Sequence, residues 1–195
     1  MNIFILDTDP VKAAEYMCDK HIVKMVTESA QMLSTARRLL DGKLIVKKIK
    51  VNTGRTIGVR SKKHYKLADK VEESELYLAA HTGHPCTIWT MQSATNYQWL
   101  YRHYVEIARQ YTLRYGKKHG AFDKDTRIGE LLAKTPLNIP KNVGLTPFAI
   151  AMKKFPDCIV PNDPVTSYRN YYIREKSRFA AWKLGNIPAW YQSKA

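Results

Sequence analysis

Residues 19–40 form two separate stripes when they are placed on a helix at about 100° per residue. The apolar stripe consists of Ile22, Met25, Val26, Met32, Leu33, Ala36 and Leu40. The polar stripe beside it consists of His21, Lys24, Glu28, Gln31 and Thr35. A helix of this length has to bury its apolar face against other elements. The segment therefore predicts a helical core with the polar stripe at its edge.

The polar stripe has two interpretations. It aligns an imidazole, an ammonium, a carboxylate and an amide, and such a set can move protons and stabilise a cation at one point in space. The alternative is a solvated face with an ion pair between Lys24 and Glu28, in the less favourable order for a helix. The stripe alone leaves both interpretations open.

The charge of the chain indicates a polyanionic partner. Of its 195 residues, 32 are Lys or Arg and 17 are Asp or Glu, which gives a formal net charge of +15. Charge of this size favours association with nucleic acid. The 12 Tyr, 4 Trp and 5 Phe residues add rings that can stack on bases. With 45% hydrophobic residues, the chain is expected to be a basic globule with a core.

Other classes of protein are disfavoured. The N-terminal residues lack the basic start of a signal peptide, no segment approaches the roughly 20 apolar residues of a membrane span, and a cytoplasmic location without a membrane partner is expected. The three Cys residues are widely spaced and give no disulfide framework. Two Cys-His segments, residues 18–21 and 81–86, lack the paired spacing of zinc ribbons. Phosphate-binding glycine loops are also missing, so no metal or cofactor is expected.

The predicted fold is mainly α, a single helical domain over residues 1–195 with a small basic β-hairpin at residues 43–60. Helical periodicity predicts helices over residues 10–40 with a break near Asp19, and over 61–81, 93–115, 123–133 and 164–183. Residues 135–164 hold six of the nine Pro residues and are expected to be extended.

Further candidate residues lie outside the first stripe. Tyr168 and Tyr172 share a face of the last predicted helix, with Arg169 and Lys176 alongside. Tyr and Arg together can grip a phosphate and stack on a base, although an aromatic core seam gives the same pattern. Asn96 offers a donor and an acceptor for reading a base edge, or is a buried amide bonded to backbone.

The hairpin is a third source of candidates. Lys47, Lys48 and Arg55 are expected to contact the DNA backbone, although an ordinary solvated ribbon would carry the same residues.

Four segments carry a resemblance to known enzymes: residues 19–33, 84–89, 96–100 and 168–179. They resemble a phage-associated family of helical DNA-base enzymes. That family includes the α-glutamyl/putrescinyl thymine pyrophosphorylases and antiviral DNA glycosylases that excise glucosylated hydroxymethylcytosine. The resemblance covers most of the chain and implies an enzyme that acts on a modified pyrimidine in double-stranded phage DNA, without a required protein partner.

A second resemblance is to the pyrimidine-dimer glycosylases. Their first helix has an Asp-x-His run with a catalytic Glu seven residues after the His, and His21 and Glu28 match that spacing. Their chain ends in Pro-x-Trp-Tyr, as residues 188–191 do here. Those enzymes use the amine of a small second residue as nucleophile. Asn2 departs from this pattern because it is too large for efficient Met removal, so a monofunctional, water-using glycosylase is expected.

The combined prediction is a DNA glycosylase that flips a modified pyrimidine out of the duplex. Glu28 is expected to stabilise the positive charge on the sugar or to activate water, and His21 to protonate or orient the leaving base. The residues expected to bind the base are Gln31, Asn96, Tyr168 and Tyr172. The residues expected to contact the DNA backbone are Lys24, Arg169, Lys176, Lys47, Lys48 and Arg55.

Two alternatives remain open. One is a transferase that attaches an amino acid or a polyamine to an activated thymine, and the other is a nucleic-acid-binding protein without catalysis.

Overall fold

A computed structural model of the protein describes residues 2–52, 57–122 and 127–192. The α-helices are α1 (Pro10–Glu15), α2 (Asp19–Asp41), α3 (Lys70–Glu75), α4 (Pro85–Gln92), α5 (Ala94–Tyr115), α6 (Ile128–Leu132), α7 (Pro164–Tyr171) and α8 (Ala189–Gln192). A 3-10 helix covers Pro156–Cys158, and a π-helix covers Tyr172–Lys176. Strands β1 (Lys43–Asn52) and β2 (Ile57–Lys66) form an antiparallel pair. The predicted class, mainly α with a small hairpin, is confirmed.

Helix α2 is the centre of the core. It packs against α4, α5 and α6, and α1 packs against α5. The predicted apolar stripe is buried: Ile22, Val26 and Leu33 are each 0% exposed. No helix in the described parts of the chain is long and apolar enough to cross a membrane.

The ends of the long helices follow local chemistry. The side chain of Asp9 accepts hydrogen bonds from the first turn of α1, which begins with Pro10, as an N-cap before proline should. Ser93 caps α5 by accepting from the backbone N–H of Asn96, and Gly116 ends it at φ 68°, a left-handed conformation that glycine adopts without strain. The break near Asp19 is also confirmed, since α1 and α2 are separate helices.

The helix predicted over residues 61–81 is wrong for most of its length. Residues 57–66 belong to β2, and only Lys70–Glu75 are helical. The hairpin is therefore longer than the predicted 43–60. Of the hairpin residues expected to contact DNA, Arg55 and the side chain of Lys47 lie outside the described part, and Lys48 is exposed on β1.

A buried arginine explains why the chain after α3 is not helical. Arg38 is 0% exposed and donates to the backbone carbonyls of Tyr65, Leu76 and Tyr77 at 2.7–3.0 Å. These bonds hold the chain after α3 against α2 in a path that is extended at Leu76, where φ is −76° and ψ is 140°. A polar residue on the far side of α2 thus fixes the path of two segments distant in sequence.

The last predicted helix ends earlier than expected. Regular α-helix stops at Tyr171, the π-helix continues to Lys176, and the chain then turns, so the predicted end at residue 183 is wrong. The tail packs back by its rings, with Trp190 centred 6.1 Å from Tyr172 and 6.2 Å from Tyr16.

Candidate active site

A polar cavity of about 270 Å³ lies where α2 meets the N-terminal segment and the π-helix. Its lining residues are Asn2, Phe4, His21, Lys24, Met25, Glu28, Ala151, Tyr171 and Lys176. Three members of the predicted polar stripe, His21, Lys24 and Glu28, therefore face one space. The stripe continues away from the cavity: Thr35 is bonded to the backbone of Ala80, and Gln31 is half-buried and not among the lining residues.

Glu28 is fixed by contacts at both carboxylate oxygens. Oε1 lies 3.0 Å from the ammonium of Lys24, and Oε2 accepts the backbone N–H of Asn2 at 3.1 Å. The side chain of Glu28 is only 13% exposed, whereas that of Lys24 is 67% exposed. The carboxylate therefore sits at the cavity wall while its cation reaches solvent.

The N-terminal segment is anchored next to this carboxylate. The hydroxyl of Tyr168 donates to Asn2 Oδ1 at 2.7 Å, and the same oxygen accepts the backbone N–H of Ile3 at 2.8 Å. Tyr168 itself is 0% exposed. Its position makes it a support for Asn2, and this corrects the prediction that it contacts a base directly.

His21 is held in a neutral form. Its ring stacks on Phe4 with centroids 4.2 Å apart and an interplanar angle of 9°, and Nδ1 shares a hydrogen bond with the hydroxyl of Tyr172. Burial, with help from the charges of Lys176 and Lys24, lowers the pKa of His21 to about 3. At neutral pH the ring carries no positive charge, so this geometry favours the orienting role over the protonating one.

Tyr172 holds the ring of His21 through the hydrogen bond of its hydroxyl group. It is 0% exposed, and burial raises the pKa of its hydroxyl well above the usual value, which keeps that group neutral. Tyr172 is therefore a positioning residue, and the expectation of direct base contact is corrected.

The π-helix places the remaining wall. In a π-helix the backbone hydrogen bonds run from residue i to residue i+5, and Lys176 Nζ, at the end of this π-helix, stands 4.4 Å from the ring centroid of Tyr171, just before it. Both residues line the cavity. In an α-helix the same two positions would point to different sides. The α-helical period predicted for this segment does not place Tyr171 beside Lys176, so the sequence pattern does not indicate Tyr171 as a cavity residue.

Two other predicted contacts are used within the fold. Asn96 is 0% exposed; its Nδ2 donates to the backbone oxygen of Trp89 at 2.8 Å, and its Oδ1 accepts from the backbone of Thr146 at 3.0 Å. Asn96 is therefore a buried amide whose hydrogen bonds are made within the fold. This was the alternative interpretation, and the prediction that Asn96 reads a base edge is corrected. Arg169 donates to the backbone oxygen of Leu6 at 2.9 Å and packs over Trp190. Its side chain is 29% exposed, and its contact with a DNA phosphate stays a prediction.

A second, larger cavity of about 620 Å³ adjoins the first and shares Ala151 and Tyr171 with it. Its other walls are largely apolar and include Ile150, Met152 and Phe155, with Lys153 and Lys154 also among the lining residues. Phe155 and Tyr171 have ring centroids 5.1 Å apart.

A model of the family described as pyrimidine dimer DNA glycosylase matches residues 1–123. The chain belongs to this family. The match spans α1 to α5 and includes Asn2, His21 and Glu28, whereas the wall made by Tyr171 and Lys176 lies beyond it. No curated protein and no solved structure matches the chain.

Family membership agrees with the spacing of His21 and Glu28 that suggested it. The residues missed in the sequence are Phe4, Met25, Tyr171 and Ala151, which line the cavity. Phe4 belongs to a short apolar run that predicts only burial. Ala151 lies in the proline-rich segment, where no periodicity indicates which residue faces a site.

Proposed function

We propose that the chain is a monofunctional DNA glycosylase that hydrolyses the N-glycosidic bond of a modified pyrimidine in phage DNA. The preferred substrate is glucosylated hydroxymethylcytosine, and the product is an abasic site, in antiviral defence. The observation that carries the proposal is the carboxylate of Glu28 at the wall of a polar cavity, bonded at both oxygens. Membership of a DNA glycosylase family supports the reaction type.

The proposed reaction begins with extrusion of the target nucleotide into the cavity, because the glycosidic bond is hard to reach inside a duplex. Breaking that bond builds positive charge on the sugar. A carboxylate beneath the sugar stabilises this charge and orients a water molecule toward it. Glu28 is suited to this role because its position is fixed by Asn2 and Lys24.

The leaving pyrimidine carries away the electrons of the broken bond and needs donors rather than a strong acid. A neutral His21 supplies one ring N–H, oriented by Phe4 and Tyr172. The ammonium groups of Lys24 and Lys176 line the same cavity and lower the cost of negative charge on the base. In this proposal Lys24 acts on the base in the cavity more than on a phosphate of the flanking DNA.

A second candidate substrate is a pyrimidine dimer. The family description supports it, and so does the adjoining cavity, whose apolar walls and paired rings of Phe155 and Tyr171 suit a planar base better than a glucose. Both candidates use the same carboxylate and differ only in what fills the second cavity.

A substrate panel tests the proposal. Duplexes of one sequence would contain glucosylated hydroxymethylcytosine, unglucosylated hydroxymethylcytosine, cytosine or a thymine dimer. Abasic sites would be detected by alkali-induced strand breaks and by mass spectrometry of the released base. Release of the glucosylated base alone supports the first candidate, and release at the dimer alone supports the second. A further duplex with an activated thymine, incubated with an amino acid or a polyamine, tests the transferase. A mass gain on that base without release would replace both candidates with the transferase.

A further inference from the structure

The β-hairpin concentrates the positive charge of the chain. Residues 43–66 contain nine of the 32 Lys and Arg residues and none of the 17 Asp and Glu residues. The segment therefore carries a formal charge of +9 out of the net +15 of the whole chain. None of the Lys and Arg residues of this segment that the structure describes lines the cavity, where Glu28 is paired with Lys24.

The hairpin projects from the body with both faces in solvent. Apolar side chains that would be buried in a packed sheet are open, with Val46 58% and Val59 67% exposed. The register places exposed cations on both faces. One face carries Lys43, Arg60, Lys62 and Lys66, and the other carries Lys48, Lys50 and Lys63.

The base of the hairpin is fixed. Glu73 accepts from Arg38 at 2.6 Å and bonds to His64 Nε2 at 2.8 Å, while Arg38 also donates to the carbonyl of Tyr65 at 3.0 Å. A side chain at Gly42, where the hairpin leaves α2, would meet the backbone oxygen of Arg38 at 2.4 Å. The ribbon therefore leaves the body in a set direction and does not hang as a flexible tail.

We propose that this hairpin is an arm that lies in the major groove of duplex DNA beside the target base. The proposal rests on the proposed function for the identity of the nucleic acid. The major groove is wide enough for a two-stranded ribbon, and cations on both faces can reach the phosphates of both backbones. The exposed Val46 and Val59 suit contact with the methyl groups of thymine.

Duplex fits the arm better than single-stranded nucleic acid. Proteins that grip single strands stack bases on aromatic rings, whereas residues 43–66 contain one ring of the Phe, Tyr and Trp class, Tyr65, at the base of the hairpin. Contact along a groove of duplex DNA needs a long and positively charged element, and the hairpin has both properties.

The lengths of α2 and of the hairpin strands indicate how much flanking duplex the arm covers. Glu28 and the hairpin base at Gly42 are both set by α2, and at 1.5 Å per residue they are separated by about 20 Å along its axis. Strands of ten residues extend about 33 Å. At 3.4 Å per base pair the arm covers about ten base pairs of flanking duplex.

The test removes three charges from one face of the shaft, with Lys48→Gln, Lys50→Gln and Lys63→Gln combined. These side chains are exposed, so folding should be unaffected, and thermal unfolding checks this. The matched control combines Lys12→Gln, Lys117→Gln and Lys141→Gln, which are exposed lysines outside the hairpin. Binding is measured to an unmodified duplex over a range of salt, and dimethyl sulfate protection reports each groove.

We expect the log–log salt slope of the hairpin variant to fall by about 0.9 for each lost phosphate contact, and by less in the control. Wild-type protein should bind a duplex with about 15 flanking base pairs more tightly than one with about 5, and the variant should lose this preference. Guanine N7, which faces the major groove, should be protected by wild-type protein and exposed with the variant.

Equal losses in the hairpin variant and the control would overturn the arm, and protection of adenine N3 alone, in the minor groove, would overturn its placement. Because binding is read on unmodified duplex, the result does not depend on excision. A protein that shows the expected binding but releases no base from any duplex would refute the glycosylase and leave the arm standing.

Discussion

The Glu28 cavity and the hairpin shaft handle charge in opposite ways. At the cavity the carboxylate of Glu28 lies 3.0 Å from the ammonium of Lys24, and the buried residues His21 and Tyr172 are neutral. The hairpin sequence contains cations and no acids, and the cations whose side chains the structure describes, among them Lys48, Lys50 and Lys63, are exposed. A fixed charge among neutral groups is suited to bond cleavage, whereas exposed cations supply affinity that salt weakens. Substitutions in the two regions should therefore change different quantities.

The largest expected effect is at Glu28. Glu28→Gln keeps the shape of the side chain and removes the charge that faces the sugar in the proposed reaction. Excision under single-turnover conditions should fall at least about 1000-fold, or about 4 kcal/mol in the barrier, while the affinity for DNA stays within a few-fold.

Glu130→Gln is the matched control, because Glu130 is an exposed acid paired with Arg127, and it should keep full activity. Equal activity of Glu28→Gln and wild type would break the contrast, since the charge in the cavity would then have no part in cleavage.

The base of the hairpin gives the next largest effect, and it falls on stability. Arg38→Met removes a fully buried cation, takes from Glu73 its arginine partner, and leaves several backbone carbonyls without this donor. Breaking a buried ion pair from one side costs about 3–5 kcal/mol, measurable by urea unfolding. Lys62→Gln on the exposed shaft should stay within about 0.5 kcal/mol. Similar losses for both would mean that the shaft is packed rather than free.

The neutral histidine of the cavity predicts a dependence of stability on pH. The pKa of His21 is about 3 in the folded protein against about 6.5 when unfolded. Between these values the unfolded chain binds the extra proton, so the free energy of unfolding falls as pH decreases below about 6.5, by up to about 1.4 kcal/mol per pH unit from this group.

His21→Gln should flatten the profile in this window, measured by urea unfolding from pH 4 to pH 8. His103, another buried histidine with its pKa lowered to about 4, leaves a residual slope in that variant. His81→Gln, at an exposed position, is the control. A profile for His21→Gln as steep as that of wild type would show that the cavity histidine is not held neutral.

The two regions also differ in how far the sequence predicts them. The spacing of His21, Lys24 and Glu28 fixes one helix face, because α-helical geometry is regular, and the expected cavity wall follows. The length of the hairpin does not follow, since Lys-rich alternation over residues 61–66 fits a solvated helix as well as a strand. Long-range bonds from Arg38 to four backbone carbonyls fix the path of that region, and no local pattern encodes them.

The opposite wall shows a second limit. Tyr171 and Lys176 meet only because one turn is a π-helix, and a period of 3.6 residues places them apart. Asn2 reaches Glu28 through a contact between residues 26 positions apart in sequence. Such contacts depend on the tertiary arrangement, so the sequence indicates Glu28 with its helix neighbours His21 and Lys24, but not the approach of Asn2 or the pairing of Tyr171 with Lys176.

The smallest expected effect concerns the nucleophile. We expect no covalent adduct between the protein and DNA, which would identify water as the nucleophile. The nitrogen that lies 3.1 Å from Glu28 Oε2 is the amide nitrogen of Asn2, which is not nucleophilic while it is bonded to Met1. Lys24 is an amine at the same carboxylate, but its ammonium is paired with Oε1. Borohydride added during excision should therefore trap no protein–DNA imine, and the strand should break only after alkali.

Trapping has two distinguishable sources. Adduct that disappears in Lys24→Ala would assign the amine to that side chain. Adduct that survives Lys24→Ala but is lost when the N-terminus is blocked would assign the amine to the N-terminus, which is that of Met1 where Met1 is retained and that of Asn2, beside Glu28, where Met1 is removed. Intact-mass measurement of the purified protein separates these cases beforehand, because loss of Met1 changes the mass. Either adduct would replace water as the nucleophile while leaving Glu28 in place as the charge beneath the sugar.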